Sequence, residues 1–226
     1  MDNNDEMPQP LTHIYLLLDR SGSMEAIRDD VIGGFNTFLA EQQADGPDAL
    51  ITLVQFDTQD PAELIADAIP IREAVPLNVA TFVPRGGTPL LDATGRLLAR
   101  ADARAASLEA SGRPAEDVVF ATVTDGAENQ SREFNRDTIR RMIEKRTEAG
   151  WTFVYLSADI DAYADAGALG YDARSVQAFA PSPAGSRLAM ASLSSATRSR
   201  RLSRRAGRDV DAGDFFGGEK PAESGD

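Results

Sequence analysis

The chain has 226 residues and a formal net charge of −13, and all of the acidic excess lies in residues 1–197, since residues 198–226 are net +1. That length suits one α/β domain with ragged ends rather than two full domains. It contains no cysteine and a single histidine, His13, which excludes disulfides, thiolate chemistry and sites built from several imidazoles. So acidic a body would repel a phosphate backbone, which argues against nucleic acid as a partner.

The opening stretch MDNNDEMPQPLTH is acidic and polar where a signal peptide would be basic and then apolar. No later run approaches the roughly 20 apolar residues of a membrane span. A cytoplasmic protein with no membrane insertion is the expectation, with residues 1–11 disordered. Ile14 to Leu18 form an unbroken apolar run, the pattern of a strand buried on both faces of a parallel sheet. Ile27, Val31, Phe35 and Phe38 then recur at helical spacing, and ALITLVQFD reads as a second strand. Four prolines between Pro61 and Pro84 restrict that stretch to an edge strand and irregular loop. TPLLDATGRLLARADARAASLEA predicts a helix, DVVFATVTDG a buried strand, and RDTIRRMIEKRTEAG an amphipathic helix with Ile139, Met142 and Ile143 inward. WTFVYLSAD predicts a further central strand, IDAYADAGALG a short helix, SVQAFA a last strand, and the segment from Ala184 to Arg208 a terminal helix.

This alternation predicts an α/β fold of Rossmann-like, doubly wound type: a mostly parallel central sheet with one antiparallel edge strand and helices on both faces. The domain is expected over residues 12–208. The glycine-rich acidic segment 209–226 is expected to be disordered and dispensable, with Phe215 and Phe216 the one reservation.

In such sheets ligands sit outside the carboxyl ends of the strands, where strand order reverses. Asp19 closes YLLLD, Asp125 closes FATVTD, and RGGTPLLD between them carries Thr88. Asp19, Ser21, Ser23, Thr88 and Asp125 are all hard oxygen donors, the ligand type magnesium prefers. The set resembles the metal-ion-dependent adhesion site of von Willebrand factor A domains, with DRSGS as the DxSxS motif, Thr88 as the remote threonine and Asp125 as the later aspartate. The resemblance covers roughly residues 12–180. GGTPLLDA, TDGAENQSREFN and GWTFVYLSADIDAYADAGALG look more narrowly like compact bacterial members related to tellurite-resistance proteins.

The resemblance implies Ser21 and Ser23 as direct metal ligands, Thr88 and Asp125 as ligands that bind directly or through water, and Asp19 as the anchor. It implies a magnesium ion, with manganese or calcium as alternatives, and a protein partner that presents an Asp or Glu carboxylate. Asp57, Gly87, Glu128 and Asn129 are candidates to line the rim or order water.

Each piece also has a purely structural explanation. Thr88 before Pro89, with Asp92 following, is good helix-capping chemistry, Ser21 or Ser23 could cap the first helix, and Asp-Gly at 125–126 is ordinary turn chemistry. His13 reads as a strand-edge residue rather than a base. The arginines from Arg198 to Arg208 read as a solvated helix terminus facing the acidic tail, with a docking patch as the alternative. A phosphohydrolase using Asp19 would need a second aspartate two residues later, where Ser21 stands, and no phosphate-binding loop, nucleophile elbow or zinc-protease helix is present. The expected function is therefore a metal-dependent binding module and not an enzyme. An accessory recognition subunit beside a chelatase-like ATPase is the alternative.

Overall fold

In the computed structural model, residues 11–218 and 220 are described. The elements run β1 (Thr12–Asp19), α1 (Arg28–Ala44), β2 (Ala49–Phe56), β3 (Glu63–Pro70), α2 (Leu90–Ala110), β4 (Asp117–Thr124), α3 (Arg136–Glu148), β5 (Thr152–Ser157), α4 (Ala162–Ala168), β6 (Val176–Ala178) and α5 (Pro183–Arg205). One six-stranded sheet has the order β3-β2-β1-β4-β5-β6, with β3 antiparallel and every other pair parallel. The expected doubly wound sheet with one antiparallel edge is thus observed.

The period-two alternation of β1 divides the core. Ile14, Leu16 and Leu18 face α1 and α5, packing with Phe35, Phe38, Met190 and Leu193. Tyr15 and Leu17 face the other layer, with Leu97 and Leu98 of α2 and Ile139 and Ile143 of α3. Central strands are buried on both faces because helices cover both sides, whereas β3 is part-exposed as an edge strand should be. The chain leaves β1 toward β2 on one side and returns through α2 to β4 on the other. The reversal of strand order therefore falls between β1 and β4, at whose carboxyl ends Asp19 and Asp125 stand.

Three expectations are corrected. His13 is not at an edge: β1 is a central strand, and His13 is fully buried and stacked on Tyr15 at 3.9 Å. Its Nδ1 lies 2.7 Å from Glu116 and its Nε2 2.9 Å from the Thr52 hydroxyl, which itself accepts from the Ala68 amide. With that amide on the Thr52 oxygen, the Thr52 proton is free to go to Nε2 while Nδ1 faces Glu116; burial holds the imidazole below its ordinary pKa against the pull of Glu116.

The arginine run is a solvated terminus only at its ends, Arg198 and Arg208, which are exposed. Arg200 and Arg201 are buried, Arg200 bidentate on Asp117 at 2.7 and 2.9 Å and Arg201 on Asp48 at 2.6 Å, with Arg204 and Arg205 joining the same acids. These acids come from the starts of β2 and β4, so the positive end of α5 is spent inside the molecule, where planar guanidinium forks suit buried carboxylates.

Lastly, residues 209–218 are placed, against the expectation of a disordered tail from 209. Phe215 and Phe216 meet edge to face at 5.2 Å and are buried in the core layer that holds α5, because burying two aromatic rings offsets the entropy of ordering a short segment. Residues 1–10, 219 and 221–226, also expected to be disordered, lie outside the described residues. Among the described residues, no helix is long and apolar enough to cross a membrane.

Candidate metal centre

β1 ends on Asp19, and the chain turns at once into a 3-10 helix, Gly22–Ile27. Asp19 is fully buried: one carboxylate oxygen accepts the Ser21 amide at 2.6 Å and the other the Thr124 hydroxyl at 2.6 Å. The Ser21 and Ser23 hydroxyls are 3.0 Å apart, and Ser23 donates to Asp125 at 2.7 Å. Asp19, Ser21, Ser23 and Asp125 therefore form one connected chain of oxygens across the carboxyl ends of β1 and β4.

Thr88 arrives on a separate loop. The Gly22 amide donates to the Gly86 carbonyl at 3.0 Å, the Thr88 amide donates to Asn129 Oδ1 at 2.9 Å, and the Asn129 amide donates to the Thr88 carbonyl at 3.1 Å. Gly86 has φ +66°, and a Cβ there would meet the Thr58 hydroxyl at 2.3 Å, so only glycine fits this approach. A Cβ on Gly87 would likewise lie 2.8 Å from Gln130 and 3.0 Å from Asn129.

The capping explanations fail on geometry. Pro89, not Thr88, occupies the N-cap of α2, and Ser21 at the N-cap of the 3-10 helix makes no side-chain cap bond. The first amides of α2 are taken by others: Leu91 donates to Glu128 at 2.9 Å and Asp92 to Ser131 at 3.1 Å. The Thr88 hydroxyl, on a residue 3% exposed, has no hydrogen-bond partner among the described residues.

Electrostatics sharpen the picture. Burial pushes the Asp19 carboxyl up to about 7, and the charge of Asp125 adds to the shift against the Thr124 and Ser21 hydrogen bonds. Burial also raises Asp125, against its bond from Ser23. Among the described residues no Lys, Arg or His pairs with either acid, although ion pairs abound elsewhere. A buried and a part-exposed carboxylate without a basic partner, at a rim that also carries an unpartnered threonine hydroxyl, fit a hard divalent ion. The described residues hold no cluster of three or more His, Cys, Asp or Glu side chains set for a metal. A cation here would depend on the hydroxyls as much as on the carboxylates.

The remaining candidates have other work. Asp57 is fully buried beneath the rim, accepting from Arg20 at 2.6 Å, Arg85 at 2.9 Å and the Gln59 amide at 2.6 Å. It ties the Asp19 turn to the loop that carries Thr88. Glu128 caps α2, and Asn129 clamps Thr88, so both shape the rim through backbone contacts. Thr124, Arg20 and Arg85 escaped the reading of the sequence. Thr124 precedes Asp125 in a buried strand, and nothing in its spacing distinguishes it from the core threonine Thr122.

No protein-family model matches the chain, and no curated protein matches it in sequence. Solved structures do match. The pilus adhesin SpaC from Lactobacillus rhamnosus GG, in its open conformation, superposes with a TM-score of 0.60 at 15% identity, covering 84% of this chain and 30% of the adhesin. Proximal thread matrix protein 1 from the mussel byssus, described with a zinc-occupied MIDAS motif, gives 0.54 at 15% identity over 81% of this chain and 47% of that one. The SpRpn10 VWA domain gives 0.53 at 11% identity, with 81% and 95% covered. The fold is that of a von Willebrand factor A domain. This chain spans less than half of the adhesin and of the matrix protein, and nearly all of the SpRpn10 domain.

Proposed function

We propose that the rim between β1 and β4 binds a divalent cation, magnesium in the first instance, and through it an acidic group of a protein partner. The observation that carries this reading is a buried carboxylate, Asp19, and a part-exposed one, Asp125, neither paired with a basic side chain among the described residues, joined by Ser21 and Ser23 and accompanied by the unpartnered Thr88 hydroxyl. Ser21, Ser23, Thr88 and Asp125 are the proposed ligands, with Asp19 as the buried anchor. The zinc-occupied motif of the byssus matrix protein supports divalent binding at this place in the fold. With Asp125 the one carboxylate among these ligands and the rest neutral hydroxyls, a doubly charged ion would keep a net positive charge and be electrophilic enough to accept an incoming Asp or Glu side chain.

Binding, rather than catalysis, is the function we infer. The position two residues after Asp19 holds Ser21, so a strand-end nucleophile would lack the usual second acid. The narrower likeness to bacterial members related to tellurite-resistance proteins rests on the quoted segments alone.

The test is thermal unfolding in magnesium chloride against chelator. A ligand at ten times its dissociation constant stabilises the fold by about 1.4 kcal/mol, a shift of a few degrees. Ser23→Ala and Asp125→Ala should fold and lose that shift. An undiminished magnesium response in both variants sinks the assignment.

A further inference from the structure

The last residue of β4 does more at the rim than its place beside Asp125 suggests. Thr124 is fully buried, and three polar atoms meet its hydroxyl. Asp19 Oδ2 lies at 2.6 Å, the Gly126 carbonyl at 3.0 Å and the Gly126 amide at 3.2 Å. A hydroxyl has one proton to give and two lone pairs with which to accept. The Gly126 amide can only donate, so it takes a lone pair. With Asp19 ionised, its Oδ2 can only accept, and as the nearer acceptor it takes the proton. The Thr124 carbonyl is tied as well, accepting the Ala158 amide at 3.1 Å from the loop after β5.

Strand register explains the contact with Asp19. β1 and β4 pair in parallel with Leu18 opposite Val123, so Asp19 and Thr124 form the next rung. The other Asp19 oxygen is held from within its own turn, by the Ser21 amide, while Thr124 ties the carboxylate to the neighbouring strand. From the same hydroxyl the Gly126 amide fixes the backbone just past Asp125. One side chain thus sets where the two acids of the rim stand relative to each other. Thr122, two residues earlier on the same face of β4, is equally buried but spends its hydroxyl on Tyr171 at 3.1 Å.

We infer that Thr124 is a positioning residue of the rim, whose hydroxyl spaces Asp19 and Asp125 for a divalent cation without serving as a ligand itself. This rests on the metal reading above. A group that orients metal-site residues from behind is worth about ten- to a hundredfold in metal affinity.

Manganese is the probe, titrated into the full chain while the paramagnetic resonance signal of the free ion is followed. Thr124→Val keeps the shape without the hydroxyl and should weaken manganese binding by about tenfold or more. Thr124→Ser restores the hydroxyl and should bind close to wild type. Thr122→Val removes a buried threonine hydroxyl from the same face, and should lower stability to urea while leaving manganese affinity unchanged. Circular dichroism checks the folding of each variant, and Thr124→Ala gives the same readout should the valine variant not fold. A wild-type protein that binds no manganese overturns the metal reading and this inference with it. Where wild type binds, equal affinity of Thr124→Val overturns this inference alone. So does a Thr124→Ser variant as weak as Thr124→Val, or a Thr122→Val variant weakened to the same degree.

Discussion

Asp57 shows how much one carboxylate can organise. It neutralises Arg20, whose Nη2 is already buried without a partner, and it holds Arg85 at the head of the Gly86–Gly87–Thr88 loop. Glu63 also pairs with Arg20, but from a part-exposed edge strand. Removing one member of a buried pair leaves the other charge shielded and uncompensated, which costs about 3 kcal/mol. Asp57→Ala should therefore lower the free energy of urea unfolding by about that much. It should also weaken the magnesium response, because the Thr88 loop loses its tether. A variant that loses stability with an unchanged magnesium response would show that Arg85 does not position Thr88.

Elements at the far end of the sheet are fastened by ion pairs rather than by apolar burial alone. Glu116, just before β4, is bound by Arg104 of α2 and by His13 of β1; although burial opposes ionisation, these partners hold its carboxyl down at about 2. Asp48, before β2, is likewise held at about 2 by Arg205 and Arg201 of α5, against the opposing effect of burial. A carboxyl depressed on folding takes up its proton first in the unfolded chain. Its contribution is therefore complete above the ordinary carboxylate range and is lost as pH falls toward 2. Solvent screening at these part-exposed pairs limits each to on the order of 1 kcal/mol. In urea melts, wild type should exceed Glu116→Gln by that amount near neutrality, with the gap narrowing steadily as pH drops from about 5 toward 3. A pH-independent gap would mean that Glu116 acts through packing and not through its charge.

The whole molecule closes on its own carboxyl-terminal segment. Phe215 and Phe216 join the layer of α1 and α5, and the Ser175 hydroxyl links the approach to β6 with residues 213 and 215 through bonds of 3.0 and 3.2 Å. Truncation after Arg208 should destabilise the domain by about 3 kcal/mol, the low end of what losing a buried aromatic costs. Phe215→Ala with Phe216→Ala in the full chain should reproduce most of that loss. If the truncated chain unfolds at the same urea concentration as the intact one, the docking contributes nothing to stability.

The order of strands and helices, the two-sided burial of the sheet and the oxygen-rich rim were all legible in the chain. They rest on local signals: apolar runs, the change from period two to helical spacing, and acids or hydroxyls at the ends of predicted strands. Asp19, Ser21, Ser23 and Asp125 could be grouped before any coordinates because a parallel sheet brings its carboxyl ends together. The rest depended on contacts between residues far apart in sequence. Whether Thr88 caps a helix or presents a free hydroxyl was settled by Pro89, Glu128 and Ser131 taking the capping places. Whether the arginines of α5 face water or acids was settled by Asp48 and Asp117, which lie 153 and 83 residues away from their Arg201 and Arg200 partners. The same holds for the tail. A pair of phenylalanines has no periodicity to betray its place, and only the packed molecule determines which surface it meets.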